Sequence, residues 1–424
     1  MSAANTRVDD IARRADAAMR AGQADAAARL WEEILAIAPD HAQAVLRVGQ
    51  HALFRRDVPR ATALLKRAAV LLPNDPVAQL NLAFAHRASD EKDSELAALN
   101  AALTIDPYFL PAMLAKAALL ERMGKRKLAA RVYKDALSSA PPEEHLPAEM
   151  RSALAHGRDM VRDNAMALEK FLEGRLNPLT QARTAAELER FAEARDAMAG
   201  TKKIYTQRPT LLHFPRLPAI QFYDNADFPL LPNIEAGTDE IRRELFALLA
   251  DEKPEFKPYV THGPGVPLNQ WAELNFSPRW SAFFFWKDGR RIAENCARCP
   301  ETAALLERAG MVETPGYAPT AFFSLLEPGT HLPAHTGVTN TRLIVHLPLI
   351  VPPGCRFRVG NETREWREGQ AWVFDDTIEH EAWNDSDKTR VILIFDVANP
   401  NMTDVEKALV GPLLSGVEEY YRSE

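Results

Sequence analysis

Late in this chain of 424 residues, three histidines and an arginine fall close together. His335 and His346 lie in "PAHTGVTNTRLIVHLPL", His380 lies in "DDTIEHEAW", and Arg390 follows ten residues after His380. Imidazoles that leave coordination positions open suit Fe(II) that must take up a chelating cosubstrate and dioxygen. An arginine's planar fork binds a carboxylate through two parallel hydrogen bonds, which fits a cosubstrate of that kind. Two places after His335 comes Gly337, where a His-x-Asp/Glu iron site carries its carboxylate. His331, four residues before His335, is a rival ligand, and sets of three or four histidines hold zinc, manganese or nickel as readily as iron. Histidines on strands also serve as satisfied core residues. By residue type and spacing alone, a metal site and a packed barrel interior are both open readings.

The elements that must position these residues are short strands. "SAFFFWKDG", "TAFFSLLEPG", "TRLIVHLPLIV", "CRFRVGNETREW", "QAWVFDD" and "RVILIFDVA" alternate apolar and polar residues and are bounded by Gly, Pro, Asn or Asp. That pattern predicts an all-β sandwich or barrel. In a jelly roll an early and a late strand lie side by side, so ligands far apart in sequence meet at one metal. A Pro- and aromatic-rich connector, "TQRPTLLHFPRLPAIQFYDNADFPLLP", precedes this half, followed by one helix in "GTDEIRRELFALLADE" with Thr238 as its expected N-cap. The tail "TDVEKALVGPLLSGVEEYYR" reads as a helix broken near Pro412.

The first third has a different period. Pro39, Pro73, Pro107 and Pro141 recur every 34 residues. Eight places before each proline stand Trp31, Leu65, Leu99 and Tyr133; five places before stand Ile34, Ala68, Ala102 and Ala136; twelve places before stand Ala27, Ala61, Glu95 and Ala129. Small residues let paired helices approach, large ones fill the seam, and the proline closes each unit. The pattern resembles the tetratricopeptide repeat, a helix-turn-helix unit that stacks into a solenoid. Glu95 and Ile34 depart from the small-residue columns. A helical stretch to about residue 200 is expected to cap the array. Such an array is either a docking surface for a partner or a rigid spacer.

Bulk composition narrows the function classes. A net charge of -7 and a pI near 5.9 argue against a nucleic-acid binder. No run approaches the length of a membrane span, and the opening residues lack the apolar core of a signal peptide. Three cysteines fit a reducing, cytoplasmic setting. The pair in "CARC", Cys296 and Cys299, has no second CxxC to complete a zinc site and reads as structural.

From about residue 210 to 400 the chain resembles the aspartyl/asparaginyl β-hydroxylase family of Fe(II)- and 2-oxoglutarate-dependent oxygenases. The stretches that carry the resemblance are "EPGTHLPAHTGVTNTRLIVHLPL", "GNETREWREGQAWVFDDTIEHEAWN" and "TRVILIFDVANP". It implies a double-stranded β-helix (jelly-roll) catalytic domain over 201–424, which with the helical repeat domain over 1–200 makes an α+β multidomain chain. In that family two histidines alone hold the metal and glycine takes the usual carboxylate position, so the match implies His335 and His380 as ligands. It further implies that Arg390 binds the distal carboxylate of 2-oxoglutarate, that His346 and Ser324 hold its carboxylate oxygens, and that Trp286 walls the pocket. Members acting on epidermal-growth-factor-like domains carry a second arginine where this chain has Ile344. Arg342 is retained as the substrate-binding cation.

The implied reaction uses Fe(II), 2-oxoglutarate and O2 to hydroxylate an unactivated C–H, foremost the β-carbon of an aspartyl or asparaginyl residue in a peptide or protein. The alternatives are a lipid or small-molecule substrate at the same iron site, as in bacterial lipid A hydroxylases, halogenation in the room left by glycine, or a non-catalytic repeat protein. Asp375 and Asp376 in "FDD" are either carboxylates supporting the metal or turn residues. The expected setting is a bacterial cytoplasmic protein with a substrate in the barrel, a protein partner in the repeat groove, and neither nucleic acid nor membrane span.

Overall fold

The computed structural model describes residues 3–251, 256–314 and 316–422. The chain divides into two compact units between Lys202 and Lys203.

The first unit converts the 34-residue period into helix pairs: α1 (Ala3–Arg20) with α2 (Ala24–Ile37), α3 (Ala42–Phe54) with α4 (Val58–Leu71), α5 (Pro76–Ala88) with α6 (Lys92–Ile105), and α7 (Leu110–Arg122) with α8 (Arg126–Ser139). The recurring prolines all fall in the connections between pairs. The columns lie on the second helix of each pair, where Trp31, Leu65, Leu99 and Tyr133 are buried. Glu95, the charged residue in a small-residue column, is buried and accepts two hydrogen bonds from Arg122, at 2.5 and 2.7 Å. A paired carboxylate thus replaces a small side chain there. Two further helices, α9 (Ala148–Thr180) and α10 (Ala185–Ala199), follow. A Cβ at Gly157 on α9 would stand 2.8 Å from the Tyr133 ring, so α9 seats on α8 through a glycine contact.

The second unit is built on two antiparallel sheets. Its strands are β1 (Lys257–Pro258), β2 (Trp280–Lys287), β3 (Arg290–Arg291), β4 (Ala321–Leu326), β5 (Thr330–His335), β6 (Arg342–Ile350), β7 (Cys355–Val359), β8 (Glu362–Glu365), β9 (Trp372–Phe374), β10 (His380–Asn384) and β11 (Arg390–Ala398). The larger sheet runs β1-β2-β4-β11-β6-β9 with β3 on β2, and the smaller runs β5-β10-β7-β8. From β4 onward the chain passes back and forth between the sheets, which is the jelly-roll winding expected from sequence.

Alternation sorts the larger sheet's two faces. Leu343, Val345, Leu347 and Leu349 of β6 and Val391, Leu393, Phe395 and Val397 of β11 pack with helix residues Ile241, Leu245 and Leu306 in one core. The opposite residues of the same strands face the smaller sheet. Cys296 and Cys299 belong to the helical core, and burial pushes the Cys299 thiol up to about 12. The pair packs as small apolar residues.

Two sequence expectations are corrected. Thr238 is the first helical residue rather than the cap, and its hydroxyl donates to the Glu235 carbonyl at 2.6 Å. The final helix, Asp404–Arg422, continues through Pro412. That residue is exposed, so the lost backbone bond is the main consequence of the ring there. No helix among the described residues is long and apolar enough to cross a membrane.

Candidate active site

Between the two sheets lies a cavity of about 620 Å³. Its lining includes His335, His380, His346, Ser324, Arg390 and Arg342, six of the seven residues singled out from sequence.

His335 ends β5 and His380 opens the neighbouring β10, where the two are directly paired and their rings lie 4.1 Å apart between centroids. A bulge sets this up. Leu332 pairs with Ala382 and His335 with His380, so β5 spends one residue more than β10 over the same span. The extra residue turns His335 onto the cavity face. His331 stays outside, stacked on Trp383 and paired with Glu381 at 3.0 Å, which removes the rival ligand.

Both site histidines contact a backbone carbonyl through Nδ1: His335 to Pro333 at 2.7 Å and His380 to Ile378 at 3.0 Å. A carbonyl only accepts, so each Nδ1 carries the proton and each Nε2 keeps its lone pair. Burial, with the neighbouring His380, holds His335 well below the ordinary histidine range, and burial brings His380 down to about 4. The pair is therefore neutral at physiological pH, the state a metal ligand needs. Among the described residues no third His, Cys, Asp or Glu joins them as a metal-binding cluster.

Arg390, at the start of β11, is 1% exposed. Its Nη1 lies 3.4 Å from both the Ser324 carbonyl and hydroxyl, Nε has no hydrogen-bond partner, and no carboxylate pairs with it among the described residues. The guanidinium lies 4.9 Å from the Trp366 ring centre. Burial lowers its ordinary value to about 10, still far above neutrality. His346 is buried among Phe357, Phe374 and Trp366, with Nδ1 unpartnered. Burial and the Arg390 charge keep it neutral. A buried cation and a buried imidazole thus converge on the cavity without an anion between them.

Gly337 is not an open position. A Cβ placed there would stand 2.0 Å from Oδ2 of Asp376, whose carboxylate fills that volume. Asp375 accepts from the backbone and hydroxyl of Thr377 and from Gln207, and so acts as a turn residue. Asp376 instead faces the cavity, with Oδ1 lacking a hydrogen bond and Oδ2 at 3.9 Å from Arg342. Burial raises its ordinary value.

Residues 235–400 match the family model described as Aspartyl/Asparaginyl beta-hydroxylase. The second unit is similar to the aspartyl/asparaginyl β-hydroxylase family over those residues. An ornithine lipid ester-linked acyl 2-hydroxylase of Rhizobium tropici is 39% identical over 194 residues, covering 45% of this chain and 64% of that protein. The aspartyl/asparaginyl beta-hydroxylase of Mus musculus is 44% identical over 145 residues, covering 34% of this chain and 19% of that protein. The chain thus spans less than two thirds of either relative. Among solved structures, a thermophilic TPR protein of Thermus thermophilus gives a TM-score of 0.32 at 22% identity, covering 46% of this chain and 99% of that chain.

Trp286 is the one residue expected at the site from sequence that lies off the cavity. It packs with Phe283 and Phe285 in the helical core. A register shift on β2 between Phe284 and Trp286 breaks the alternation that would have kept it on the cavity face. Trp280 takes the wall position, donating from Nε1 to the Ser324 hydroxyl at 3.2 Å. Its signal was visible, because "WSAFFFW" offers two tryptophans on one strand, but the bulge that chooses between them was not. Trp366, the face over Arg390, sits after β8 and carried no signal.

Proposed function

We propose that this domain is an Fe(II)- and 2-oxoglutarate-dependent hydroxylase. The observation that carries the reading is Arg390, a cation buried without a carboxylate in the cavity that also presents two neutral histidine Nε2 atoms. A dicarboxylate that reaches a metal with one end and Arg390 with the other satisfies both groups. His335 and His380 would hold the iron. Arg390 would pair with the distal carboxylate of 2-oxoglutarate, and Ser324 and His346 would hydrogen-bond its oxygens. When bound, the iron, cosubstrate and O2 supply an oxidation that places one oxygen atom on a substrate C–H and yields succinate and CO2.

The chain's own residues do the positioning. The backbone carbonyls of Pro333 and Ile378 fix the histidine tautomers, and the Trp280 indole orients the Ser324 hydroxyl. Trp366, Phe357 and Phe374 exclude water from the Arg390 end, strengthening its pull on an anion. Asp376 fills the space beside Gly337. That same carboxylate takes the room a halide would need, which favours hydroxylation over halogenation.

Two substrate classes are carried forward. A β-carbon of an aspartyl or asparaginyl residue follows the mouse relative's name. A lipid or small amphiphile follows the Rhizobium tropici relative's name, and one observation favours it: Ile344, Ile392, Ile394, Phe322 and Phe284 make the cavity wall between the two charged ends apolar. The test is succinate release from 2-oxoglutarate by the purified protein. Release should require added Fe(II) and vanish in His380→Ala. Iron-independent turnover, or turnover undiminished in that variant, would overturn the reading.

A further inference from the structure

The cavity is a slot with unlike ends. On β11 the residues facing it are Arg390, Ile392, Ile394 and Asp396; on β6 they are His346, Ile344 and Arg342. The strands are antiparallel, with His346 opposite Ile394 and Ile344 opposite Asp396. Arg390 and Asp396 are six residues apart on one strand, about 20 Å at strand spacing. A cation therefore marks one end, isoleucines line the middle, and carboxylates mark the other.

At that far end Asp396 is fully buried. Its Oδ1 accepts from the Thr320 amide at 2.7 Å, and its Oδ2 has no hydrogen bond, only the Arg342 Nε at 3.4 Å. Asp376, 8% exposed, has no hydrogen bond at Oδ1 and stands 3.9 Å from Arg342 through Oδ2. Two buried carboxylates thus share one guanidinium, and each keeps an oxygen without a donor. At the exposed rim Lys287 and Asp288 offset each other. The buried balance is one negative charge and two unsatisfied acceptors, which is costly unless a donor arrives. An ammonium brings both the charge and three N–H groups. A carboxylate would add a third anion and leave both oxygens unpaired.

We propose that Asp396 and Asp376 form the recognition subsite for a cationic nitrogen, and that the substrate is an alkylammonium-type amphiphile whose hydrocarbon lies along Ile344, Ile392 and Ile394. Arg342 holds the two carboxylates together and is not itself the anchor for an anionic substrate. This deepens the hydroxylase reading by naming the substrate class for the same cavity.

The test uses the full chain with saturating 2-oxoglutarate, which takes the Arg390 end so that hexanoate cannot, first metal-free and again with Fe(II) under anaerobic conditions. Hexylammonium, hexanol and hexanoate are titrated by calorimetry. Hexylammonium is expected to bind about tenfold or more tightly than hexanoate, with hexanol between. Asp396→Asn should lower hexylammonium affinity by a similar factor. Ile344→Arg, which sets a cation directly opposite Asp396, should reverse the order in favour of hexanoate. Hexanoate binding as well as or better than hexylammonium to the wild type, or no measurable binding of any of the three, would overturn the proposal. If circular dichroism shows that Asp396→Asn does not fold, the wild-type series and Ile344→Arg decide. The metal-free titrations stand apart from iron chemistry, so this subsite can fail while the oxygenase reading holds, and the reverse.

Discussion

An arginine buried to 1% exposure without a carboxylate weakens a fold until an anion arrives. Replacing Arg390 by methionine, an apolar chain of similar length, should therefore raise the thermal midpoint of the ligand-free protein, by about 1–3 kcal/mol of stability. The same change should reduce calorimetric affinity for 2-oxoglutarate by about 100-fold or more, as truncating one partner of a buried charge pair does. A structural arginine would show the opposite stability sign. His380 gives the pH dependence. Its folded value is about 4, against about 6.5 in an unfolded chain. The unfolded state thus binds more protons between those values, and this histidine's contribution to metal-free stability is present above pH 6.5 and lost as pH falls toward 4. Asp396, raised by burial to about 6, acts in the opposite sense, losing its contribution as pH rises from about 4 to 6. Comparing His380→Gln with wild type isolates the histidine. The variant's stability should fall less steeply on acidification, with a difference approaching about 3 kcal/mol by pH 4.

Strand alternation made much of the site legible in the sequence. Arg342, Ile344 and His346 share a face at a period of two, as do Arg390, Ile392, Ile394 and Asp396. Where a strand carries a bulge, alternation misleads. The shift on β2 exchanges Trp280 for Trp286, and the extra residue on β5 brings His335 inward while leaving His331 outside. Nothing local marks either bulge, since each arises from pairing with a strand distant in sequence. Asp376 was equally hard to place, because its role depends on the glycine 39 positions earlier, whose missing side chain its carboxylate replaces. The β5 bulge carries a prediction. Deleting Ala334 should restore regular pairing with His335 still inward, two places after Leu332 and opposite His380. The domain should keep both its β-rich circular dichroism and its Fe(II) binding measured by calorimetry. Loss of binding in a folded variant would mean that the bulge does more than choose which residue faces the cavity.

At the scale of the whole molecule, the 34-residue period gave the helix pairs directly, because each repeat contacts only its neighbours and its pattern is local. The second unit's cores contain only residues after Lys203. A chain of residues 203–424 should accordingly fold alone, unfold cooperatively, and bind 2-oxoglutarate with the affinity of the full protein. Loss of that affinity would assign the repeats a part in the site. The central claim, two histidines and Arg390 assembling one iron and 2-oxoglutarate site, is tested most directly by anaerobic absorption spectroscopy of the full chain. Adding Fe(II) and then 2-oxoglutarate should produce a visible metal-to-ligand charge-transfer band in wild type and none in His380→Ala. A wild type without the band, or a band that survives in His380→Ala, would contradict the account.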